Sequence, residues 1–112
     1  MAPISQESET VSKVSNKRFH GVVVPMVTPA TEDGRVDETS TLRLTEHVVA
    51  AGAYPFLFGT SGEASSISKE EKIRIGSQVC PPLIERTTVY MGISSNCFEE
   101  SVDLANAFSD QG

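Results

Sequence analysis

The chain has 112 residues, 38% of them hydrophobic and 21% charged, with a formal net charge of −6, which suits one soluble domain or part of one. No basic face is present that would neutralise a phosphate backbone, and no apolar stretch approaches the roughly 18 residues of a membrane span, so neither nucleic acid nor membrane is expected as a partner. The two cysteines, Cys80 and Cys97, form no CxxC pair and lack the histidines of a zinc site, so reduced thiols, a cytoplasmic location and no metal are expected.

Residues 1–17 are dominated by Ser, Glu and Thr, lack the apolar core of a signal peptide, and are expected to be a disordered polar tail. The folded part, residues 18–112, opens on Phe19 to Thr28. There the β-branched run Val22-Val23-Val24 reads as a strand, and Pro25 places it at an edge, a bulge or a strand end. Glu32-Asp33-Gly34 is a turn signal. Asp37 is the N-cap of a helix with Leu44, Val48 and Val49 on one face that stops at Gly52.

Ala53 to Phe58 is a short apolar run of the kind buried in a parallel sheet, and it should stop at Gly59. Gly59-Thr60-Ser61-Gly62-Glu63 follows. Its glycines can take positive φ or allow close approach, so the hydroxyls and N–H groups of Thr60 and Ser61 could ring a small anion. The competing reading is a tight strand-to-helix loop whose hydroxyls only cap the turn. Glu63 is either a base or a carboxylate that holds the loop by accepting main-chain N–H bonds, the second being favoured. Ser68-Lys69-Glu70-Glu71 is a capping box, with Ser68 covering a first-turn N–H and Glu71 reaching back to the cap's own. The helix it opens carries Ile73, Ile75 and Val79 and should end at Pro81-Pro82.

A third unit has a strand over Thr87 to Met91, a polar loop over Gly92 to Asn96, and a helix over Glu99 to Phe108 with Val102, Ala105 and Phe108 on one stripe. The order β-α-β-α-β-α implies parallel strands with right-handed crossovers, hence a doubly wound sheet or a β/α barrel. Both bind ligands at the C-terminal ends of their strands. The spacing excludes a nucleophile elbow, a P-loop and a dinucleotide fingerprint. His20 and His47 read as structural or solvent-exposed. No lysine falls on an expected strand, where an amine would be desolvated for Schiff-base work.

Phe19-His20-Gly21 through Val27-Thr28-Pro29, Asp33-Gly34-x-Val36-Asp37, Gly59-Thr60-Ser61-Gly62-Glu63, Ser68-Lys69-Glu70-Glu71 and Gly92-x-x-x-Asn96 together resemble the dihydrodipicolinate synthase and N-acetylneuraminate lyase family. The resemblance covers Arg18 to Gly112. It implies a pyruvate-dependent class I aldolase on a (β/α)₈ TIM barrel, working through a Schiff base without a cofactor and assembled as a homo-oligomer. Thr60 and Ser61 would hold the carboxylate of pyruvate or another 2-oxo acid, with Thr60 also in a proton relay. Asn96 and Glu100 match positions that bind the feedback effector in lysine-inhibited members, and Lys69 stands where those members often carry histidine. The family's Schiff-base lysine and catalytic tyrosine belong to later strands, so the chain is expected to be the first three βα units of such an enzyme, inactive alone. The alternative is a non-catalytic truncated barrel that acts as an interaction module through its open sheet edges.

Overall fold

A computed structural model describes residues 19–112, and the expected tail over residues 1–17 lies outside them. Three parallel strands, β1 (Val23–Pro25), β2 (Tyr54–Leu57) and β3 (Tyr90–Met91), form a sheet in the order β1-β2-β3. Helices α1 (Glu38–Ala50), α2 (Lys69–Val79) and α3 (Phe98–Asp110) follow the strands in turn. Sequential neighbours that pair in parallel, each return made by a helix, are the N-terminal units of a (β/α)₈ barrel.

Pro25 ends β1, is exposed, and lies on the sheet edge, where its missing donor breaks no ladder. Pro55 is a harder case, since it is fully buried in the central strand. Tyr54 donates its N–H towards β1, to Val22 O at 2.8 Å, so the next residue's nitrogen faces the other side. There the ladder with β3 begins only at the Phe56–Tyr90 pair, one position beyond the proline. That offset explains why β3 is two residues long rather than the five expected over Thr87 to Met91: the half-buried residues before Tyr90 have no donor opposite them.

Asp37 caps α1 as expected, its carboxylate accepting the Ser40 N–H at 3.1 Å. The buried face differs from the expected stripe, however, for it carries Thr41, Thr45 and Val48, with Leu44 and Val49 half-buried. Both threonine hydroxyls donate back to the helix, Thr41 to Asp37 O and Thr45 to Thr41 O, each at 2.7 Å, so they enter the core without an unpaired polar group. Val79 ends α2 ahead of Pro81-Pro82, as the two rings require.

α3 also turns differently from its expected stripe. Leu104 and Phe108 are its buried residues, four apart on one face, while Ala105 and Val102 face outward, Val102 at 40% exposure. Phe108 stacks on Phe58 with ring centroids 6.4 Å apart, and together with Ile75, Val79 and Leu83 they form the core between the sheet and its helices.

Candidate functional site

The loop after β2 leaves the strand through Phe58, which is left-handed at φ 61° although it is a buried aromatic residue. It enters a single 3-10 turn (Ala64–Ser66) through Glu63, also left-handed at φ 56°. Such backbone costs an L-residue about 1–2 kcal/mol, and it collects at functional loops. The two glycines between them serve by close approach instead of positive φ. A Cβ on Gly62 would meet Met26 O and Thr28 Oγ1, each at 3.0 Å, and one on Gly59 would meet the Phe56 ring at 3.1 Å.

The loop closes on itself. Gly62 N–H donates to Gly59 O at 3.1 Å, Glu63 N–H to Thr60 O at 3.0 Å and Ala64 N–H to Gly59 O at 3.3 Å. Thr28, just past the end of β1, donates its hydroxyl to Gly62 O at 2.6 Å and so ties the first unit to this loop. The motif reading did not single out Thr28, because the contact spans 34 residues of chain. Among the described residues, the N–H groups of Thr60 and Ser61 have no acceptor and their hydroxyls no partner. These two adjacent amides at the C-terminal end of β2 are therefore donors open to an external acceptor.

The Glu63 side chain does not hold the loop by accepting N–H bonds. It is exposed and makes no capping hydrogen bond, so its contribution is its backbone conformation. The capping box is likewise half formed. Ser68 Oγ accepts the Glu71 N–H at 3.1 Å, but the Glu71 carboxylate turns away to Arg35, Val36 and Arg74. Two arginines within reach are stronger partners than one exposed amide.

A cleft of about 610 Å³ lies between the β2–α2 loop and the β3–α3 loop, with Thr60, Ser65, Lys72, Asn96 and Glu100 among its walls. The structure therefore brings Asn96 and Glu100 together beside Thr60, whereas Ser61 is exposed and outside the cleft. Lys69 does not reach it either, pairing with Asp103 across the helix interface at 3.0 Å. The desolvated amine is Lys72. It is 5% exposed, and burial lowers its pKa against a smaller opposing pull from Glu100. The sequence places no lysine on a strand, and Lys72 is desolvated on a helix instead. The signal that could have found Lys72 is its spacing, three before Ile75 and seven before Val79 on the buried face of α2. His20 and His47 are exposed. Among the described residues, no group of three or more His, Cys, Asp or Glu side chains could hold a metal, and no helix is long and apolar enough to cross a membrane.

Parallel βα units with a glycine-bracketed hydroxyl loop at the strand ends define a segment of a β/α barrel. Residues 18–112 match the model of the dihydrodipicolinate synthetase family, and the chain belongs to that family. It is 36% identical over 88 residues to 4-hydroxy-tetrahydrodipicolinate synthase of Acidiphilium cryptum, which covers 78% of this chain and 30% of that enzyme. It is 38% identical over 95 residues to the synthase of Symbiobacterium thermophilum, covering 84% and 32%. Among solved structures, it superposes on YagE, a prophage protein of Escherichia coli K12 in complex with pyruvate, with a TM-score of 0.79 and 27% identity, covering 86% of this chain and 33% of that one. The chloride-inhibited dihydrodipicolinate synthase of Acinetobacter baumannii, complexed with pyruvate, gives 0.73 and 32% identity over 82% and 32%. The chain thus spans about a third of the length of the relatives it matches.

Proposed function

We propose that this chain supplies the 2-oxo acid grip of a pyruvate-dependent lyase of the dihydrodipicolinate synthase type, the Schiff-base lysine coming from a later strand. The observation that carries this reading is the pair of unengaged amides and hydroxyls at Thr60 and Ser61, held at the end of β2 by a loop closed through the Gly62, Glu63 and Ala64 N–H groups and tied to Thr28. Pyruvate's carboxylate would accept from those donors, as anions do in nests of main-chain N–H groups. The Thr60 hydroxyl, which can donate and accept at once, would pass protons as the carbinolamine loses water and the imine forms. The chemistry needs no bound cofactor, because the covalent intermediate is the substrate's own imine. The same reading makes the working enzyme a cytoplasmic homo-oligomer, and it makes the cleft holding Asn96 and Glu100 an effector site.

The discriminating experiment is borohydride trapping with pyruvate, read by peptide mass spectrometry on the longest polypeptide that contains this sequence and on residues 1–112 alone. The expected adduct lies on a lysine outside residues 19–112, and the 112-residue chain stays unmodified. A stoichiometric adduct on Lys69 or Lys72 would overturn the assignment. An interaction module is the second reading, favoured by the open edges of β1 and β3. A larger polypeptide that traps no pyruvate would move the assignment there.

A further inference from the structure

The directions of the two open amides after β2 are set by carbonyls, because a trans peptide is planar and its C=O and N–H point opposite ways. No described peptide bond is cis. The Thr60 N–H shares a peptide with Gly59 O, which accepts inside the loop from Gly62 N at 3.1 Å and Ala64 N at 3.3 Å. The Ser61 N–H shares one with Thr60 O, which accepts from Glu63 N at 3.0 Å. With both carbonyls turned into the loop, both amides turn out of it.

One peptide in this arrangement has a reason to flip. The N–H that holds Thr60 O belongs to Glu63, which is left-handed at φ 56°. Turning the Gly62–Glu63 peptide over would carry that φ into the ordinary negative region, and Gly62, with no Cβ, could follow the change in its own ψ. Gly62 O would then face Thr60 O, acceptor against acceptor, and the Thr60–Ser61 peptide would lose its anchor. The Thr28 hydroxyl opposes this flip. It donates to Gly62 O at 2.6 Å, and among the described residues no other donor is bonded to that carbonyl.

Thr28 is mounted firmly enough to act as a latch. The sheet ladder runs on to Met26, whose N–H donates to Phe56 O at 3.0 Å, and Pro29 O accepts the Asp37 N–H at 2.9 Å. A residue before proline is confined to extended backbone, and a β-branched side chain has few rotamers. We infer that Thr28 is a positioning residue for the substrate carboxylate: its hydroxyl fixes the Gly62–Glu63 peptide and, through Thr60 O, aims the Ser61 N–H at the anion. Bonds linked in such a series also polarise one another, which strengthens the terminal donor. The inference rests on the proposed reading of Thr60 and Ser61 as the 2-oxo acid grip, and adds to it a residue of the first βα unit that touches no substrate.

The test is borohydride trapping at graded pyruvate concentration on the longest polypeptide that contains this sequence, read as a half-saturating concentration and a limiting rate. Thr28→Val keeps the shape and removes the donor. Its half-saturating pyruvate should rise about tenfold, the scale of one hydrogen bond to a charged group, with the limiting rate unchanged. Acetone, which offers the same methyl ketone and no carboxylate, should be trapped equally by wild type and variant. Thr28→Ser keeps the hydroxyl and should keep the wild-type half-saturation. A threonine that only held the fold would, as valine, lower the melting temperature and the trappable fraction and leave half-saturation where it was. That result would overturn the inference with the pyruvate reading intact, as would equal losses with pyruvate and acetone. If Thr28→Val does not fold, Thr28→Ser and Thr28→Cys decide, being alike in shape while the thiol is a much weaker donor. The cysteine variant should then need more pyruvate than the serine variant, and equal values would overturn the inference. A wild type that traps no pyruvate would overturn the pyruvate reading itself, and this inference with it.

Discussion

The Glu71 carboxylate accepts the main-chain N–H of Val36 at 3.0 Å, fastening the loop that follows β1 to α2 across 35 residues of chain. The same carboxylate takes Arg35 Nη2 at 2.8 Å and both Nε and Nη2 of Arg74 at 2.9 Å, while Arg74 returns a bond to Val36 O at 3.0 Å. Units one and two are thereby joined between the loop after β1 and the first turns of α2. Glu71→Ala should cost about 2 kcal/mol, since it leaves a main-chain donor and part of a guanidinium without an acceptor. Arg74 holds the Glu71 carboxyl well below its ordinary value of 4.5, with Arg35 and the Val36 N–H adding to the effect. A depressed carboxyl stabilises the fold fully above its unfolded pKa and loses that contribution as pH falls through the folded value. Chemical denaturation across pH should therefore show stability falling from about pH 4.5 downward in the wild type, and a flatter acid limb in Glu71→Gln.

Gly92 is expected to be the least replaceable glycine. Its N–H extends the β2–β3 ladder to Leu57 O at 2.8 Å, and a Cβ there would lie 2.7 Å from the Phe58 carbonyl carbon and closer still to its oxygen. Main chain held in a ladder cannot swing aside, so Gly92→Ala should cost about 3 kcal/mol or prevent folding. Gly34→Ala is the control. Nothing lies within 4 Å of its Cβ position, and only its φ of +85° opposes a side chain, so the cost should be about 1 kcal/mol. Equal losses in thermal melts of the two variants would contradict this.

Glu63→Gly should leave the loop intact and raise stability by up to about 1 kcal/mol. The residue is left-handed, exposed and without a capping bond, so glycine removes strain and no contact. A loss of stability in urea melts would mean that the carboxylate holds the loop after all.

Much of this architecture is legible in the sequence because it is locally encoded. Asp37 and Ser68 each sit three residues before the N–H they accept, Gly52 follows the end of α1, and Pro81-Pro82 follows that of α2. What is not legible is non-local. Glu71 has the spacing of a capping box, but its carboxylate answers to Arg35 and Arg74, and no pattern within one helix carries that choice. Thr41 and Thr45 read as polar, yet their back-bonds to the helix make them core residues. Thr60 and Ser61 could be singled out from the Gly-x-x-Gly frame. Lys72 could not, since a charge on the buried face of α2 reads as a break in the apolar stripe until the cleft beside it is seen.

Lys72→Met should raise stability by about 1 kcal/mol, because it removes a charge that burial disfavours. The pH dependence has a definite sign. Its folded pKa lies below its ordinary value of 10.5, so between the two the unfolded chain holds more protons, and this residue's contribution grows less unfavourable as pH rises. The gap between Lys72→Met and wild type should narrow from pH 7 to pH 10 in thermal melts. A constant gap would show that packing alone sets the difference.

Self-association is the last expectation, and it follows from where apolar surface is left. β1 and β3 are the two outer strands of the sheet, and each presents an unpaired row of main-chain groups among the described residues. Around β1, Phe19, Val22 and Val27 are 62%, 68% and 63% exposed. Near β3, Phe98 stands 81% exposed at the first turn of α3, with Val102 one turn further along the same helix face. A soluble monomer keeps contiguous apolar patches to a few hundred Å², and open parallel edges flanked by such side chains favour pairing with another copy. The isolated 112-residue chain should therefore run on size exclusion as an oligomer or a broad species at micromolar concentration and melt over a wide range. Phe98→Ser and Val27→Lys should each shift it towards monomer, the lysine acting as an edge-blocking charge. A monodisperse monomer with a sharp cooperative transition would show that three βα units suffice on their own, and would strengthen the interaction-module reading at the expense of the catalytic one.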